Sequence, residues 1–309
     1  MPVLSKPKTA SERHQSIESK HSSSPVDWPK VAIVITVYNG ERFIGACVKA
    51  ALAQTYPHFE VVIVDDGSTD STESICRSIN DSRVRYIYMG RIGRQKALNE
   101  GIALTDGEFI AINDADDLSF PERLFYTMRL FRAHPQTALV GTGFSTTTEF
   151  LGAIPESLLD GWLPENYVKV SWPSRATLYR RNLFTHSTVM FPKRTWERIG
   201  GYDERLMLSG LEDYDFYLRA MQFGPAAMLP GRTVLWYTNP DGFFKQKQHQ
   251  ENLRALRFIK CRAHRLLGLP AWLRLYQPIW EVGFHLTSRY PALLDVVKRF
   301  RRIAASADC

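Results

Sequence analysis

Short apolar runs alternate with segments of helical spacing over most of the chain. Residues 31–37, 60–64 and 108–113 are mostly apolar at consecutive positions, which is typical of strands buried on both faces of a parallel sheet. Further strands are predicted at 84–89, 137–144, 189–191 and 232–237. Helices are predicted at 41–54, 71–79, 93–104, 121–134 and 211–222. This alternation predicts an α/β fold with a Rossmann-like, mostly parallel sheet flanked by helices.

The two ends of the chain differ from this central unit, which we place at residues 30–244. Residues 1–29 are rich in Ser, Lys and Pro and have no apolar signal-peptide core, so a disordered leader is predicted. Residues 145–183 have no regular pattern and are expected to form loops. Residues 245–309 read as a basic helical extension, with 13 Lys and Arg against 4 Asp and Glu.

Composition narrows the class of protein. The chain has 309 residues, 44% hydrophobic and 23% charged, which is ordinary for a globular protein with a large core. Its four cysteines form no CxxC pair, which favours a reducing compartment without disulfides or a zinc site. The net charge of +7 comes from the basic extension, which could contact nucleic acid or an anionic membrane.

Three carboxylates fall within residues 114–117, directly after the strand predicted at 108–113. They repel one another and lose solvation at the end of a core strand. A divalent cation, Mg²⁺ or Mn²⁺, would relieve both costs and could also carry phosphate oxygens. The alternative is an ordinary acidic turn in which Asp117 caps the helix that begins near Pro121.

Two other polar turns, at 38–40 and 65–68, also follow predicted strands. Ligands of open α/β sheets bind beyond the carboxyl ends of the strands, so the three turns should meet at one crevice. The GxGxxG turn of dinucleotide folds and the GxxxxGK[ST] phosphate loop are both absent. A nucleotide would therefore need Asp65 or Asp66 for its base edge, Asp114 for its ribose, and a metal on Asp116 for its diphosphate.

Six ordered motifs resemble the family 2 glycosyltransferases with a GT-A fold. They are VITVYNG (34–40), VDDGSTD (64–70), ALNEGI (97–102), DADD (114–117), GGYDE (200–204) and ED (212–213). The resemblance covers about residues 30–220. It implies an inverting sugar transfer from a nucleoside-diphosphate sugar, usually UDP-linked, with Mn²⁺ or Mg²⁺ as cofactor. It also divides the central unit into a donor half, 30–144, and an acceptor half, 145–244.

The resemblance, together with the turns, gives a set of candidate site residues. Asp116 is the expected metal ligand. The candidates for nucleotide and donor binding are Thr36, Tyr38, Asn39, Asp65, Asp66, Arg94 and Asp114. Arg94 would contact phosphate, or else be a solvated loop charge. His186 and Trp172 are acceptor-side candidates, with a structural histidine and a loop-anchoring aromatic residue as the alternatives.

The helix predicted at 211–222 carries two further candidates. Its apolar stripe consists of Leu211, Tyr214, Leu218 and Met221. Glu212 and Asp213 lie off that stripe in the first helical turn, where the helix dipole favours an anion. An ionised carboxylate there could take the proton of an attacking sugar hydroxyl, so Asp213 is the expected general base, beside Glu212. Alternatively, the acids only suit a helix N-terminus, and Asp215 and Arg219 form a surface ion pair.

Departures from the family pattern affect the expected reaction. Relatives often carry Arg-Met where this chain has Ile112-Asn113, which leaves the usual arginine contact with the donor unassigned. The QxxRW signature of processive synthases is absent, so single sugar additions are expected, to a glycan or lipid-linked acceptor in cell-surface polysaccharide synthesis. The alternatives are a nucleotidyltransferase, or a non-catalytic nucleotide-sugar-binding or scaffold protein on the same fold.

The apolar residues of the extension suggest a location. Leu273, Tyr276, Trp280 and Phe284 recur at helical spacing with basic flanks, which suits an interfacial helix over 270–302 on an anionic leaflet. Packing on the core is the alternative. No stretch has the ~18 apolar residues of a spanning helix. We therefore expect a cytoplasmic protein, peripheral on the inner face of the plasma membrane, with no nucleic acid partner.

Overall fold

The structure, a computed structural model, describes residues 28–159, 170–205, 208–238 and 249–275. Its strands are β1 (Val31–Val37), β2 (Phe59–Asp65), β3 (Val84–Tyr88), β4 (Phe109–Asp114), β5 (Leu118–Ser119), β6 (Leu139–Thr147), β7 (Met190–Pro192) and β8 (Ala226–Tyr237). Its helices are α1 (Ile44–Leu52), α2 (Thr72–Arg77), α3 (Arg94–Ala103), α4 (Arg123–Ala133), α5 (Glu156–Leu159), α6 (Arg175–Arg180), α7 (Lys193–Ile199), α8 (Glu212–Ala220) and α9 (His249–Leu266). Two 3₁₀ turns lie at His186–Thr188 and Ala271–Leu275.

The described strands form one mixed sheet in the order β3-β2-β1-β4-β7-β6-β8-β5. Strands β1 to β4 are parallel neighbours, which confirms the predicted α/β fold with its mainly parallel sheet. Strand β7 then runs antiparallel to both β4 and β6. All residues of β1 and β2 are buried, because helices cover both faces of the sheet.

Successive residues of β1 face two different cores. Ala32 and Val34 pack with side chains of α3, α8 and α9 on one face. Val31 and Ile33 pack on the other face with side chains of α1 and α4. The sheet is therefore the middle layer of three, and its strand ends remain available for a site.

Strand β8 is longer than the predicted 232–237. It pairs with β6 in parallel from Ala226 onward, and the register skips Pro230 and Gly231. A proline cannot donate to the ladder, and a Pro-Gly pair is typical of a break between elements. Because of this pair, the sequence pattern predicted only the last part of one longer, bulged strand. The helices α5, α6 and α7 and the short strand β5 were not predicted either, and α5 and α6 lie in the segment 145–183 that was expected to form loops.

The extension is part of the same core as the central unit. Side chains of α9, among them Leu256, Ile259 and Ala263, pack with those of α8. Leu273 is also fully buried there, so its assignment to a membrane stripe is wrong, and packing on the core holds for this residue. The rest of that stripe, 276–302, lies outside the described residues, as does the leader up to residue 27. Within the described ranges, no helix has the length and apolarity needed to span a membrane.

An ion network fixes α9 to α8. Arg262 of α9 donates to Asp215 and, at 2.7 Å, to Asp203. Arg219 donates to the other Asp215 oxygen at 2.7 Å. Asp215 is only 1% exposed, so the expectation that Asp215 and Arg219 form a surface pair is wrong. The pair is buried because α9, whose position the sequence did not predict, lies over it.

Candidate active site

Three polar turns meet at the carboxyl edge of adjacent strands, as predicted. In the sheet register Thr36 of β1 lies opposite Val64 of β2 on one side and Asp114 of β4 on the other. Asp65 pairs in the same way with Val37. The turns at 38–40, 65–68 and 114–117 therefore share one edge.

Asn39 joins the first two turns. Its backbone has a left-handed φ of 49°, which Asn tolerates better than most residues. Its N–H donates to the Ser68 hydroxyl at 2.9 Å, and its side-chain oxygen accepts from the Thr69 N–H at 2.8 Å. That oxygen is thus used by the protein, whereas the neighbouring Tyr38 ring is 47% exposed at the site's surface.

Asp65 and Asp66 are both buried and both hydrogen-bonded within the protein. Asp65 accepts from the Tyr86 hydroxyl at 2.7 Å and from the Ser68 N–H at 2.7 Å. Both oxygens of the Asp65 carboxylate therefore have a protein donor. The carboxylate of Asp66, unlike that of Asp65, contacts the loop that precedes α3, where the side chain of Arg91 is exposed.

Asp66 organises the loop that precedes α3. One carboxylate oxygen accepts from the Ile92 N–H at 2.8 Å and from the Gly93 N–H at 2.7 Å. The other accepts from the Arg91 guanidinium, which lies 3.7 Å from the centre of the Tyr38 ring. Arg91 thus lies between Asp66 and the solvent, and its guanidinium stacks on the ring of Tyr38.

Arg94, the first residue of α3, connects the end of β4 to the start of α8. Its Nε donates to Glu212 Oε1 at 3.0 Å, and its Nη2 donates to Asp114. Its Nη1 is 3.4 Å from the Thr36 hydroxyl. Burial alone would lower the pKa of Arg94. The carboxylates of Asp114 and Glu212 outweigh this effect, so the pKa of Arg94 lies above its ordinary value. The solvated loop charge considered from the sequence is not what the structure contains.

His186 lies inside this network. Its Nδ1 is 2.8 Å from Arg94 Nη2 and its Nε2 is 3.0 Å from the Tyr202 hydroxyl. Burial would raise the pKa of Asp114, but Arg94 and His186 hold it well below the usual value. Asp114 is thus an ionised acceptor.

Hydrogen bonds to the buried Asp117 hold the acidic turn in place. Asp117 is fully buried, accepting from the Ser187 hydroxyl and, at 3.0 Å, from the Tyr237 N–H of β8. It does not cap α4, whose first residue is Arg123 and whose start has no side-chain cap. That expectation is wrong, since Asp117 instead fixes the turn to β8. Burial, and then the charges of Asp114 and Asp116, raise the pKa of Asp117 well above its ordinary value.

Arg123 is a buried cation behind this turn that sequence reasoning missed. Its guanidinium donates to the carbonyl oxygens of Ile112 at 2.7 Å and Val189 at 3.2 Å, and to Asn113 Oδ1 at 3.1 Å. Burial lowers the pKa of Arg123 to about 10. No local sequence signal marks it, because a charged residue near the start of a helix is usually solvated.

Asp213 and Glu212 begin α8 but have different surroundings. Glu212 is 4% exposed and accepts from Arg94 and the Gly210 N–H. Asp213 is partly buried and accepts from Asn182 Nδ2 at 3.3 Å and the Tyr214 N–H at 2.6 Å. Burial raises the pKa of Asp213 to about 6, with Glu212 adding to the rise and His186 opposing it. A base with that pKa is ionised at neutral pH and still basic enough to accept a proton.

Asn99 connects two of the sequence motifs. Its Oδ1 accepts from the Tyr202 N–H at 2.8 Å and from Trp196 Nε1 at 3.0 Å. Its Nδ2 donates to the Tyr202 carbonyl and to Glu204 Oε1, both at 2.9 Å. The ALNEGI helix therefore holds the GGYDE loop, and through Tyr202 it supports His186.

Gly200 and Gly201 provide a test of this connection. Both have left-handed φ values, 74° and 75°, but a Cβ on Gly201 would lie 2.6 Å from Asn99 Oδ1, whereas one on Gly200 would meet nothing within 4 Å. We expect Gly200→Ala to lower the free energy of unfolding by about 1–2 kcal/mol, the cost of the backbone conformation. Gly201→Ala should lower it by about 2–4 kcal/mol, because hydrogen bonds of Asn99 are lost as well. Denaturant titration measures both, and equal losses would contradict the role given to Asn99.

Trp172 lies away from these residues. Its ring packs edge-on against His134 with ring centres 5.0 Å apart, just after α4 ends. Helix α4 begins near the acidic turn and leads away from it. The following Pro135 carbonyl accepts from Arg194, and the neighbouring Lys193 N–H donates to Glu108 at the start of β4. Trp172 is thus at the opposite edge of the sheet, and the structure does not bring it together with the other candidates.

The acidic turn supplies only part of a metal site. Across the described ranges, no group of three or more His, Cys, Asp or Glu side chains is arranged to hold a metal ion. Mg²⁺ often takes one or two protein carboxylates and completes its shell with water and substrate phosphates. Asp116 is partly buried, and the raised pKa of Asp117 records the repulsion within the turn that a cation would reduce. The donor set fits a divalent ion whose remaining ligands come from a phosphate-bearing substrate.

The fold is shared with solved glycosyltransferase structures. TarS 1–349 of S. aureus, in complex with UDP-GlcNAc, superposes with a TM-score of 0.62 at 16% identity, over 84% of this chain and 73% of that one. The mannosyltransferase PcManGT of Pyrobaculum calidifontis, in complex with GDP-Man and Mn²⁺, superposes with a TM-score of 0.59 at 20% identity, over 91% and 81%. The chain has the GT-A fold, as the resemblance implied.

Sequence comparison identifies the family. Residues 32–194 match the family model described as glycosyl transferase family 2. EpsE of Bacillus subtilis (strain 168), whose name places it among the glycosyltransferases, is 30% identical over 81% of this chain and 84% of its own length. Chondroitin synthase of Escherichia coli is 32% identical over 64% of this chain, but the match spans only 27% of that protein. The chain belongs to glycosyltransferase family 2. Glu212 and Asp213 lie beyond the part matched by the family model.

Proposed function

We propose that this enzyme transfers one sugar at a time, with inversion, from a UDP-linked donor to a hydroxyl of a glycan or lipid-linked acceptor. The observation that carries the proposal is Asp213, a carboxylate at the N-terminus of α8 whose pKa is raised to about 6. It stands beside the network that contains Asp114, on the acceptor side of the sheet edge.

The donor side is assigned to the three turns. Tyr38 offers an exposed aromatic face for the base, and Asp66, with Asp65 behind it, the acceptor for a base N–H. Donor binding at Asp66 would displace Arg91, which contacts it in this conformation. Thr36 and Asp114 would receive the ribose hydroxyls, and Asn39 holds the turn that carries Tyr38.

The transfer is a single displacement. The acceptor oxygen attacks the anomeric carbon on the face opposite the diphosphate, and Asp213 takes the hydroxyl proton as the new C–O bond forms. The bond to the diphosphate oxygen breaks, so the configuration inverts. Glu212, already paired with Arg94, is not free to act as the base, and we assign it to holding the start of α8.

A divalent ion is the implied cofactor. Asp116 would hold it, with Asp114 next to it in the turn. When bound, Mn²⁺ or Mg²⁺ neutralises charge on the departing diphosphate. Cell-surface polysaccharide synthesis at the inner face of the plasma membrane is the setting we propose; contact with an anionic leaflet would involve residues from 276 to 302, outside the described residues.

A donor panel tests the function. Purified enzyme with Mn²⁺ and each of several UDP-, GDP- and dTDP-sugars should release nucleoside diphosphate from a UDP-sugar, slowly to water and faster with an acceptor. The anomeric configuration of the product, read by NMR, should be opposite to that of the donor. Retention of configuration, or release of pyrophosphate in place of nucleoside diphosphate, would contradict the proposal.

A further inference from the structure

The surroundings of Arg94 decide what this residue can do. A guanidinium has five N–H groups. Nε donates to Glu212, and the two N–H groups of Nη2 point to Asp114 and His186 Nδ1. Nη1 is near the Thr36 hydroxyl, at the longer distance of 3.4 Å. At most one N–H of Nη1 is left for a ligand, so little of this cation is available to bind a diphosphate.

The partners of Arg94 come from both halves of the site. Asp114 ends β4 and Thr36 ends β1, on the donor side. Glu212 begins α8, the helix that carries Asp213, and His186 belongs to the 3₁₀ turn beside β7. The Arg94 side chain is therefore a direct contact between the end of β4 and the start of α8.

Resting on the function proposed above, we infer that Arg94 is a positioning residue, which fixes Asp213 against the donor rather than binding the diphosphate. Glu212 is the intermediate in this contact. Its Oε1 accepts from Arg94 and its Oε2 from the N–H of Gly210, two residues earlier, so the start of α8 is joined to α3 through Arg94. Asp213, the next residue, takes its place from the first turn of α8.

The geometry requires a planar, forked cation. Lysine provides one point charge on a flexible stem, and it cannot contact Asp114, Glu212 and His186 in three fixed directions. A neutral side chain at position 94 leaves the carboxylates of Asp114 and Glu212 without a cation between them, with Asp213 next to Glu212. A misplacement of the base by about 1 Å can cost about 100-fold in rate.

The test compares Arg94→Met and Arg94→Lys with Lys96→Met, a matched control that removes one exposed charge from the same helix. We expect Arg94→Met to lower kcat about 100-fold and Arg94→Lys about 10-fold. The Kd for UDP, by calorimetry, should rise by less than about threefold, because Arg94 itself makes no donor contact and the sheet register still holds Thr36 beside Asp114. Lys96→Met should leave kcat within about twofold.

Adding Glu212→Gln to Arg94→Met should lower kcat little further, since the connection between Arg94 and α8 is already broken. A tenfold rise in the Kd for UDP with kcat unchanged would overturn the inference and make Arg94 a donor ligand.

Hydrogen exchange separates this inference from the proposed function. In Arg94→Met, amides of residues 210–217 should exchange faster, while those of β1 and β2 and all amides of Lys96→Met should not change. An enzyme inactive with every donor would refute the function and leave this exchange result as the measure of the connection. Unchanged exchange at 210–217 would refute the connection even in an active enzyme.

Discussion

Asp213→Asn should lower kcat for sugar transfer by about 10²–10⁴-fold, the usual contribution of a general base. The asparagine has nearly the same shape and keeps an oxygen for the Tyr214 N–H, but it cannot take the acceptor proton. Because the proposed role of Asp213 concerns the acceptor hydroxyl and not the nucleotide, the Kd for UDP should not change. The measurement is the initial rate of transfer with saturating donor and acceptor.

The pH profile supplies the internal control for this substitution. Burial raises the pKa of Asp213 to about 6, so the carboxylate is ionised above that pH and protonated below it. For the wild type, kcat should therefore rise about tenfold per pH unit up to pH ~6 and then level off. The residual rate of Asp213→Asn should lack this limb, and Asp106→Asn, an exposed acid far from the site, should keep it. An unchanged limb in Asp213→Asn would remove Asp213 from the role of base.

Removal of divalent metal should lower the transfer rate by about 10³-fold or more, since the ion supplies several kcal/mol of charge stabilisation to the leaving diphosphate. EDTA should abolish transfer, and Mn²⁺ or Mg²⁺ should restore it. In Asp116→Asn the concentration of Mn²⁺ needed for half the maximal rate should increase at least about tenfold, because one of few protein ligands has become neutral.

Glu108→Gln is the matched control for the metal experiment. Glu108 is an exposed acid just before β4, at the opposite end of that strand from Asp116. Its Mn²⁺ requirement should equal that of the wild type. Full activity in EDTA, or an equal Mn²⁺ requirement in Asp116→Asn, would show that the acidic turn serves another purpose.

The parts of the fold with local signals were predictable. Strands β1, β2 and β4 are buried on both faces, so their sequences are apolar without alternation, and the polar turns after them mark the edge where the site lies. Parallel strands present their carboxyl ends at one edge, so the turns that carry Asp65, Asp66 and Asp114 could be assigned to the same edge before the strand order was known.

The contacts that complete the site could not be predicted in this way. His186 and Glu212 lie 92 and 118 residues after Arg94 in the chain, and no local pattern specifies that a single guanidinium meets both. Arg123 was missed for the opposite reason. A charged residue near the start of a helix is usually solvated, and only the packing of α4 beneath the acidic turn buries this one.

The burial of α9 has a consequence for how the chain reaches its native state. The hydrophobic surface of α8 is covered by a helix that begins 29 residues after α8 ends, and the charges of Asp203 and Asp215 are met by Arg262 within it. On the ribosome, α8 is made before α9, so its apolar side chains are still uncovered and Asp203 and Asp215 still lack the contacts with Arg262. Release of α9 from the exit tunnel is therefore the step that covers α8, and a chain cut before residue 249 is left prone to aggregation.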